Sequence, residues 1–117
     1  MEMNKDTNAK LLRIFLGESD KYGNIPLYEA IVIEAKKRNL YGATVLKGVM
    51  GFGANSRIQS TKLFELSSDL PFIIEIVDKE EEIRDFSQTV EQMFEKSKSG
   101  GMITIEKVEV IRYKASK

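Results

Sequence analysis

The sequence predicts an α+β domain whose elements follow the order β-α-β-β-α-β. Two observations predict it: four apolar segments have a strand-forming composition, and two other segments have helical periodicity. This order is typical of the ferredoxin-like sandwich, a four-stranded antiparallel sheet with both helices on one face. Since 117 residues are typical of one globular unit, we expect a single domain over residues 10–117 behind a disordered or extended tail over residues 1–9.

The first half of the chain supplies two strands and the first helix. The apolar segment KLLRIFL, residues 10–16, predicts the first strand, and the turn-rich segment GESDKYGN follows it. Apolar residues at helical spacing then predict a helix over residues 25–40, with Asn24 as its N-cap and Pro26 in its first turn. The segment GATVLKGVM, residues 42–50, predicts the second strand.

The second half supplies the other two strands and the second helix. PFIIEIVD, residues 71–78, predicts the third strand, and MITIEKVEVIRY, residues 102–113, predicts the fourth. Between them Asp78 and Glu81 form a D-x-x-E pair that is typical of a helix N-terminal cap. The helix that follows has its apolar residues on one face: Ile83, Phe86, Val90, Met93 and Phe94.

Apolar residues occupy both faces of the predicted first and third strands. A sheet with one face in water should alternate more regularly, so we expect the second face to be buried between subunits, in a dimer or a trimer. The fourth strand changes its apolar parity near Glu106 and Lys107. Either a bulge lies there, or the end of the strand buries its other face against another surface, and both alternatives stay open.

The composition excludes several classes of function. The chain has no cysteine and no histidine, which rules out thiolate chemistry, a histidine-dependent triad and a His/Cys zinc site. No nucleophile with an activating base can be identified, so we expect no enzyme activity. The formal net charge is zero and no basic stripe stands out, so we expect no nucleic-acid partner. The polar N-terminus has no apolar region typical of a signal peptide, and we expect a cytoplasmic protein.

Glycine clusters are the candidate binding features. The segment KGVMGFGANSRIQS, from Lys47, matches neither the P-loop nor the dinucleotide-binding pattern. Gly51 and Gly53 nevertheless permit positive φ and close approach to a ligand, and their N–H groups could bind an anion. Gly100-Gly101 forms a second cluster, and the basic residues of the C-terminal segment could converge with both clusters, within one chain or across an interface. Ordinary turns are the alternative interpretation.

The chain resembles the PII superfamily of signalling proteins, and more closely its branch of small PII-like proteins. The resemblance runs from about Lys10 to Tyr113 and is carried by LRIFLGESDKYGNIPLYEAIV, GATVLKGVMGFG, LSSDLPFIIEIVD and VEVIRY. It implies a homotrimer that binds an adenine nucleotide, ATP, ADP or AMP, in the clefts between subunits, with Mg²⁺ as an accompanying ion. It also implies a long loop after the second strand, residues 54–68, that contacts a partner protein such as a membrane transporter or an enzyme.

The resemblance also implies which residues form the site. The nucleotide contacts fall on Gly51, Phe52, Gly53, Asn55, Gly100, Gly101, Met102, Arg112 and Lys114, and the partner loop includes Ser56, Arg57, Ile58 and Gln59. The lysine, arginine and glutamine that flank G-F-G in PII proteins are replaced here, so we do not expect 2-oxoglutarate sensing. The alternative function is a structural or divalent-ion-responsive trimer similar to the CutA-type ion-tolerance proteins, without nucleotide binding.

Overall fold

The protein is built on an antiparallel sheet that carries two helices. The computed structural model describes residues 8–53, 59–60 and 69–116. In chain order the elements are β1 (Ala9–Gly17), β2 (Lys21–Tyr22), β3 (Ile25–Pro26), α1 (Leu27–Lys37), β4 (Thr44–Lys47), β5 (Met50–Gly51), β6 (Gln59–Ser60), β7 (Pro71–Lys79), α2 (Glu80–Ser97) and β8 (Met102–Lys107). The main sheet has the strand order β4-β7-β1-β8, and the pairs β2-β3 and β5-β6 are separate two-stranded sheets. The predicted α+β class is confirmed.

The register of β1 determines which side chains form the core. This strand pairs antiparallel with β7 along its whole length and with β8 along most of it. Leu12 and Ile14 lie opposite Ile76 and Ile74, and all four are buried on the face covered by the helices. Helix α2 contacts β1 and β7, and α1 packs against α2. The α2 residues predicted to face the core are all buried: Ile83, Phe86, Val90, Met93 and Phe94.

The opposite face of the sheet, called the open face below, is not covered by any element of the described residues. Its apolar side chains are half-buried or exposed, with Leu46 44% and Met102 54% exposed. Leu11, Phe15, Ile73 and Val77 complete the apolar set. The predicted presence of apolar residues on both faces of the central strands is therefore confirmed, and burial of the open face between subunits stays a prediction.

An ionic cluster lies in the middle of the open face. The Nε atom of Arg13 donates to Oε2 of Glu75 at 2.8 Å, and its Nη1 atom donates to Oε1 of Glu106 at 2.7 Å. The three residues come from three adjacent strands, β1, β7 and β8, and together carry one net negative charge. Among the described residues, the open face is thus apolar at its periphery and ionic at its centre.

Both predicted helix caps are wrong. The N-cap of α1 is Pro26 in an extended conformation, and the first helical N–H, from Leu27, donates to the backbone carbonyl of Asp20 at 2.8 Å. Asn24 lies instead in the turn between β2 and β3, two short strands that the sequence interpretation missed. The N-cap of α2 is Lys79, and its side chain makes no capping hydrogen bond.

The carboxylate of Asp78 satisfies backbone donors outside the helix cap. It is 3% exposed and accepts from the N–H groups of Lys79 at 2.7 Å and Tyr41 at 3.0 Å. A carboxylate this deeply buried needs such donors, because an unpaired buried charge is costly. Asp78 therefore joins the end of β7 to the turn that follows α1.

Two predicted strands are shorter in the structure. The predicted strand over residues 42–50 divides into β4 and β5, because Gly48 turns toward β7 and its N–H donates to the carbonyl of Pro71 at 2.7 Å. The predicted fourth strand ends at Lys107 instead of residue 113. The parity change coincides with this end, so Val108 and the residues after it need not alternate with the strand, and a bulge is not required.

The described residues contain no helix that is both long and apolar enough to span a membrane.

Gly101→Ala should destabilise the fold, whereas Gly100→Ala should not. A Cβ at Gly101 would lie 2.5 Å from the carbonyl oxygen of Phe15 and 2.8 Å from the ring of Phe94, so strand or helix must shift. Overpacking of this kind costs about 1–3 kcal/mol. A Cβ at Gly100 meets nothing within 4 Å. Urea unfolding of both variants at one protein concentration measures the difference, and equal stabilities would contradict the close approach.

Candidate functional site

Both glycine clusters lie at the same end of the sheet, where β1 ends and β7 begins. We call this the glycine end. Gly48 hydrogen-bonds to Pro71, and a Cβ at Gly51 would lie 3.2 Å from the Pro71 ring. At the opposite edge of the sheet Gly101 approaches the carbonyl of Phe15. Because β4 and β8 are the two outer strands, the two clusters occupy opposite corners of this end.

The predicted loop base, Gly51 to Gly53, is exposed and has ordinary backbone angles. Among the described glycines only Gly23 has positive φ, so position 51 does not need glycine for a left-handed conformation. Glycine fits there because the backbone approaches the ring of Pro71 closely. Phe52 is 69% exposed beside Gly53, around which a Cβ would meet nothing within 4 Å. These residues form an accessible surface with one aromatic ring.

Other predicted site residues have a less complete structural description. Asn55, Ser56, Arg57 and Ile58 lie outside the described residues. Gln59 is described through its backbone, which pairs with Gly51 in the small β5-β6 sheet. Met102 lies at the start of β8 opposite Phe15 and is exposed on the open face. Val49 and Met50 are exposed apolar neighbours that the sequence interpretation missed, and the apolar run before Gly51 was the available signal.

The predicted cations of the C-terminal segment lie at the other end of the sheet. The hydroxyl of Tyr113 donates to the backbone carbonyl of Tyr41, whose N–H donates to Asp78. Asp78 is seven residues along β7 from Pro71, a distance of about 24 Å at 3.4 Å per residue. Arg112 and Lys114, which flank Tyr113, therefore do not converge with the glycine clusters of their own chain. Of the two sequence alternatives, only convergence across an interface stays compatible with this geometry.

The turn after β1 ties together both sides of the 52–68 segment. On the outgoing side the Nζ atom of Lys47 lies 3.6 Å from Oε2 of Glu18. On the returning side the N–H of Glu18 donates to the carbonyl of Leu70 at 2.9 Å, and the N–H of Ser19 donates to Oδ1 of Asp69 at 2.8 Å. The contacts of this turn show that it has a structural role.

Carboxylates dominate the described part of the glycine end. Glu18, Asp20 and Asp69 lie around Gly17 and Leu70, and Lys47 pairs with Glu18. No group of acidic residues in the described ranges has the geometry of a metal site. Because phosphates and carboxylates repel each other, a phosphate ligand at this end needs cations besides Lys47.

Asp20 is the carboxylate of this group whose proton affinity is clearly altered. Burial of the carboxyl group raises its pKa, the hydrogen bond from the N–H of Gly17 to Oδ2 at 3.0 Å lowers it, and the nearby charge of Asp69 raises it. The net result is a pKa above the ordinary value of 3.8. At any one pH, a larger fraction of Asp20 is therefore protonated in the folded state than in the unfolded state.

Comparison with known proteins agrees with the fold and the sequence pattern. The model of the DUF190 family, described as "Uncharacterized ACR", matches residues 9–110. The chain belongs to the DUF190 family. This DUF190 protein is 43% identical over 102 residues to a UPF0166 protein of Aquifex aeolicus, covering 87% of this chain and 92% of the relative. It is 38% identical over 97 residues to the UPF0166 protein MJ1524 of Methanocaldococcus jannaschii, covering 83% and 86%.

Solved structures with the same fold confirm the resemblance to PII-like proteins. CPII, a nitrogen regulatory PII-like protein from Thiomonas intermedia K12 that was solved bound to ADP, AMP and bicarbonate, has a TM-score of 0.66 at 18% identity, with 92% of each chain covered. A phage SAM lyase in complex with S-methyl-5'-thioadenosine has a TM-score of 0.50 at 15% identity, with 95% of this chain and 92% of that chain covered. At these identities the likeness establishes the ferredoxin-like PII-type fold.

Asp20→Asn should change the pH dependence of stability. Because the folded pKa is raised, the contribution of Asp20 is fully present below the unfolded pKa and is lost as pH rises through the folded pKa. The asparagine can still accept from Gly17 but does not titrate. We expect the variant to gain stability relative to the wild type as pH rises above 3.8, the ordinary pKa of the carboxyl group, and through the folded pKa.

Urea unfolding across this pH range, at constant protein concentration, measures the difference between variant and wild type. A difference that stays constant with pH, or one that favours the wild type as pH rises, would contradict the raised pKa of Asp20.

Proposed function

We propose that this DUF190 protein is a non-enzymatic PII-like signal-transduction protein. It forms a homotrimer, binds an adenine nucleotide (ATP, ADP or AMP, with Mg²⁺ as an accompanying ion) between subunits, and presents residues 54–68 to a partner protein. A membrane transporter or an enzyme is the candidate partner. The cytoplasmic location stays a prediction from the sequence.

One observation carries the proposal: the glycine clusters and the basic residues of the C-terminal segment lie at opposite ends of the same sheet. The glycine end offers backbone N–H groups and an aromatic ring in carboxylate-rich surroundings, whereas Arg112 and Lys114 offer charge without such a cradle. Backbone N–H groups and cations are complementary components of a phosphate site. A neighbouring subunit can supply the missing one, so a site between subunits accounts for the separation.

The open face supports assembly of several subunits. Its apolar residues surround an ionic cluster, and a contiguous apolar surface of this kind is typical of a protein interface. A head-to-tail arrangement closes into a ring when the rotation between subunits permits it. In the proposed trimer the glycine end of one chain lies beside the C-terminal segment of the next chain. These two parts supply both components of the phosphate site.

Two neighbours with the same fold support an adenine-containing ligand. CPII was solved with ADP and AMP, and the phage lyase was solved with S-methyl-5'-thioadenosine. In this chain Phe52 provides an exposed ring against which a base can stack. Gly51, Gly53, Gly100 and Gly101 let the backbone approach phosphate oxygens closely. The two cations of the C-terminal segment supply the positive charge.

The alternative function is a divalent-ion-responsive trimer without nucleotide binding, similar to CutA-type proteins. The concentration of Glu18, Asp20 and Asp69 at the glycine end favours it, since carboxylate oxygens prefer hard divalent ions. Isothermal titration of the same sample with MgCl₂ alone and with ADP alone discriminates between the two functions. Heat from MgCl₂ without any heat from ADP supports the alternative.

Mixed trimers test the site between subunits. One chain carries Gly53→Asp, which places a carboxylate at the proposed phosphate cradle, and the other carries Arg112→Glu with Lys114→Glu. Each homotrimer should lose ADP binding. In a random equimolar mixture, about a quarter of the interfaces pair an intact glycine end with an intact C-terminal segment, because each partner is intact in half of the chains.

Titration with ADP should therefore recover about a quarter of the wild-type sites at wild-type affinity. Native mass spectrometry verifies that the chains have mixed. If mixed trimers recover no binding, each site is formed by one chain. If a parent homotrimer still binds ADP, the residues substituted in that parent do not belong to the site.

Arg13→Met should weaken the assembly. The substitution leaves Glu75 and Glu106 on the open face without their cation, and the two uncompensated negative charges repel each other at the proposed interface. Arg38→Met is the matched control, because Arg38 also pairs with two carboxylates, Glu34 and Asp85, but does so on the helices.

Light scattering across a dilution series measures this effect. We expect Arg13→Met to dissociate at a higher protein concentration than the wild type and Arg38→Met to behave as the wild type does. Equal dissociation of both variants, or none, argues that the open face is not the interface.

A further inference from the structure

A groove lies on the helix side of the protein, on the far side of the helices from the open face. It is bounded by α1, α2 and the β2-β3 hairpin and has a volume of about 390 Å³. Each helix lines it with a stripe of residues at positions i, i+3, i+4 and i+7, which begins at Ala30 in α1 and at Thr89 in α2. The hairpin adds Tyr22 and Ile25. We call this feature the helix groove.

The helix groove has an apolar floor and apolar walls. Ala30 and Met93 are buried at its floor, whereas Ile25 is 36% and Ile33 48% exposed beside them. The other large apolar side chains that are exposed in the described ranges lie on the open face, at the glycine end or in the segment after β8. Assembly through the open face would therefore leave Ile25 and Ile33 in water.

Contacts between the surrounding elements fix both ends of the groove. At the hairpin end, the Nζ atom of Lys96 lies 6.0 Å from the centre of the Tyr22 ring, within the range of a cation–π interaction. At the other end, the Nε atom of Arg38 donates to Oε2 of Glu34 at 3.1 Å and its Nη2 atom donates to Oγ1 of Thr89 at 2.7 Å. Arg38 thus joins the two helices. The groove is preorganised, which lowers the entropy lost when a partner binds.

The rim of the groove carries positive charge at both ends. Lys96 lies at the hairpin end, and Lys37 lies at the end where Arg38 joins the helices. Neither lysine has an ion pair in the part of the chain that the structure describes, and Glu34 is already paired with Arg38. An apolar groove between two such lysines is complementary to a ligand that is apolar in its middle and acidic at both ends.

The helices and the partner loop of a second copy do not have this chemistry. Helices α1 and α2 already bury their apolar stripes in the core of their own subunit. The segment 54–68 contains Arg57 and Lys62 against a single carboxylate, Glu65, so its charge has the wrong sign. Charge complementarity therefore favours a different protein as the occupant.

We propose that the helix groove binds an acidic amphipathic helix of a partner protein. A helix that matches the two stripes carries acidic, apolar, apolar and acidic residues at i, i+3, i+4 and i+7, a span of about 10 Å. The apolar pair packs against Ile25 and Ile33, and the carboxylates pair with Lys37 and Lys96. This surface is separate from the loop over residues 54–68 and from the open face, so the inference goes beyond the proposed function and does not depend on nucleotide binding.

Fluorescence anisotropy of labelled synthetic peptides, titrated with the full-length protein, tests the groove. The acidic probe is an alanine- and glutamine-based helix of about 15 residues that contains the pattern E-x-x-L-L-x-x-E. Two matched peptides replace either both glutamates by lysine or both leucines by serine. We expect the wild type to bind the acidic probe at least about tenfold more tightly than either matched peptide, because one opposes lysine to lysine and the other has no large apolar residues to bury.

Charge reversal in the protein locates the site. Lys37→Glu combined with Lys96→Glu should reverse the preference, so that the lysine peptide binds more tightly than the acidic probe. Lys36→Glu combined with Lys98→Glu is the matched control, because it changes the net charge equally at exposed positions that do not line the groove. This control should keep the preference for the acidic probe.

A second pair of variants tests the apolar wall. Ile33→Ser should weaken binding of the acidic probe by about three- to tenfold, since less apolar surface is buried. Ile111→Ser removes an exposed isoleucine after β8 and should leave the affinity unchanged. Circular dichroism of each variant verifies that the fold is retained.

The contrary outcomes overturn the proposal. If the wild type does not bind the acidic probe, the groove does not accept an amphipathic helix. Equal binding of the serine peptide shows that the lysines attract any polyanion. If charge reversal does not reverse the preference, or if Ile33→Ser binds as the wild type does, the probe binds elsewhere on the protein. All of these results are independent of the titration with ADP, so failure of the groove leaves the proposed nucleotide function in place.

Discussion

The antiparallel register of β1 with both of its neighbours is the constraint on which the remaining structure depends. It places the start of β7 and the start of β8 at the same end of the sheet, so both glycine clusters lie at that end, at its two opposite corners. The same register sends the end of β8 to the opposite end, where the C-terminal segment meets Tyr41. The separation of backbone donors from cations is therefore a consequence of strand pairing.

Close backbone packing at the glycine end depends on this register as well. Gly48 and Gly101 lie at opposite edges of the sheet, and at each one a Cβ would fall within 3 Å of another residue, Pro71 or Phe15. The segments that bear the candidate phosphate contacts are thus held against the first and last residues of the central strands. A ligand that bound to them would contact a preorganised backbone, which lowers the entropy lost on binding.

Features that depend on a periodic pattern of apolar residues were predicted correctly from the sequence. Residue roles that depend on a single contact were not. The amphipathic pattern of α2 and the apolar runs of β1 and β7 gave the core, because burial of one face imposes a regular spacing. Asp78 was predicted as a helix cap from a local pattern, yet its carboxylate accepts from Tyr41, 37 residues away in the chain. Asn24 failed as a cap because β2 and β3 are too short for a period to be visible. The contact of Tyr113 with Tyr41 had no sequence signal, since the acceptor is a backbone carbonyl.

Charge is balanced over the whole sequence but segregated in the fold. The carboxylates around Gly17 make the described part of the glycine end unfavourable for phosphate, whereas Arg112 and Lys114, which have no ion pair within the described ranges, lie at the other end of the sheet. In the proposed trimer a nucleotide bridges these two surfaces on different chains. It then contacts an interface that a free subunit lacks, so ligand binding and assembly must stabilise each other to the same extent. In that proposed trimer the ionic cluster of Arg13 on the open face acts on assembly and lies outside the nucleotide site, which makes the two contributions separable by substitution.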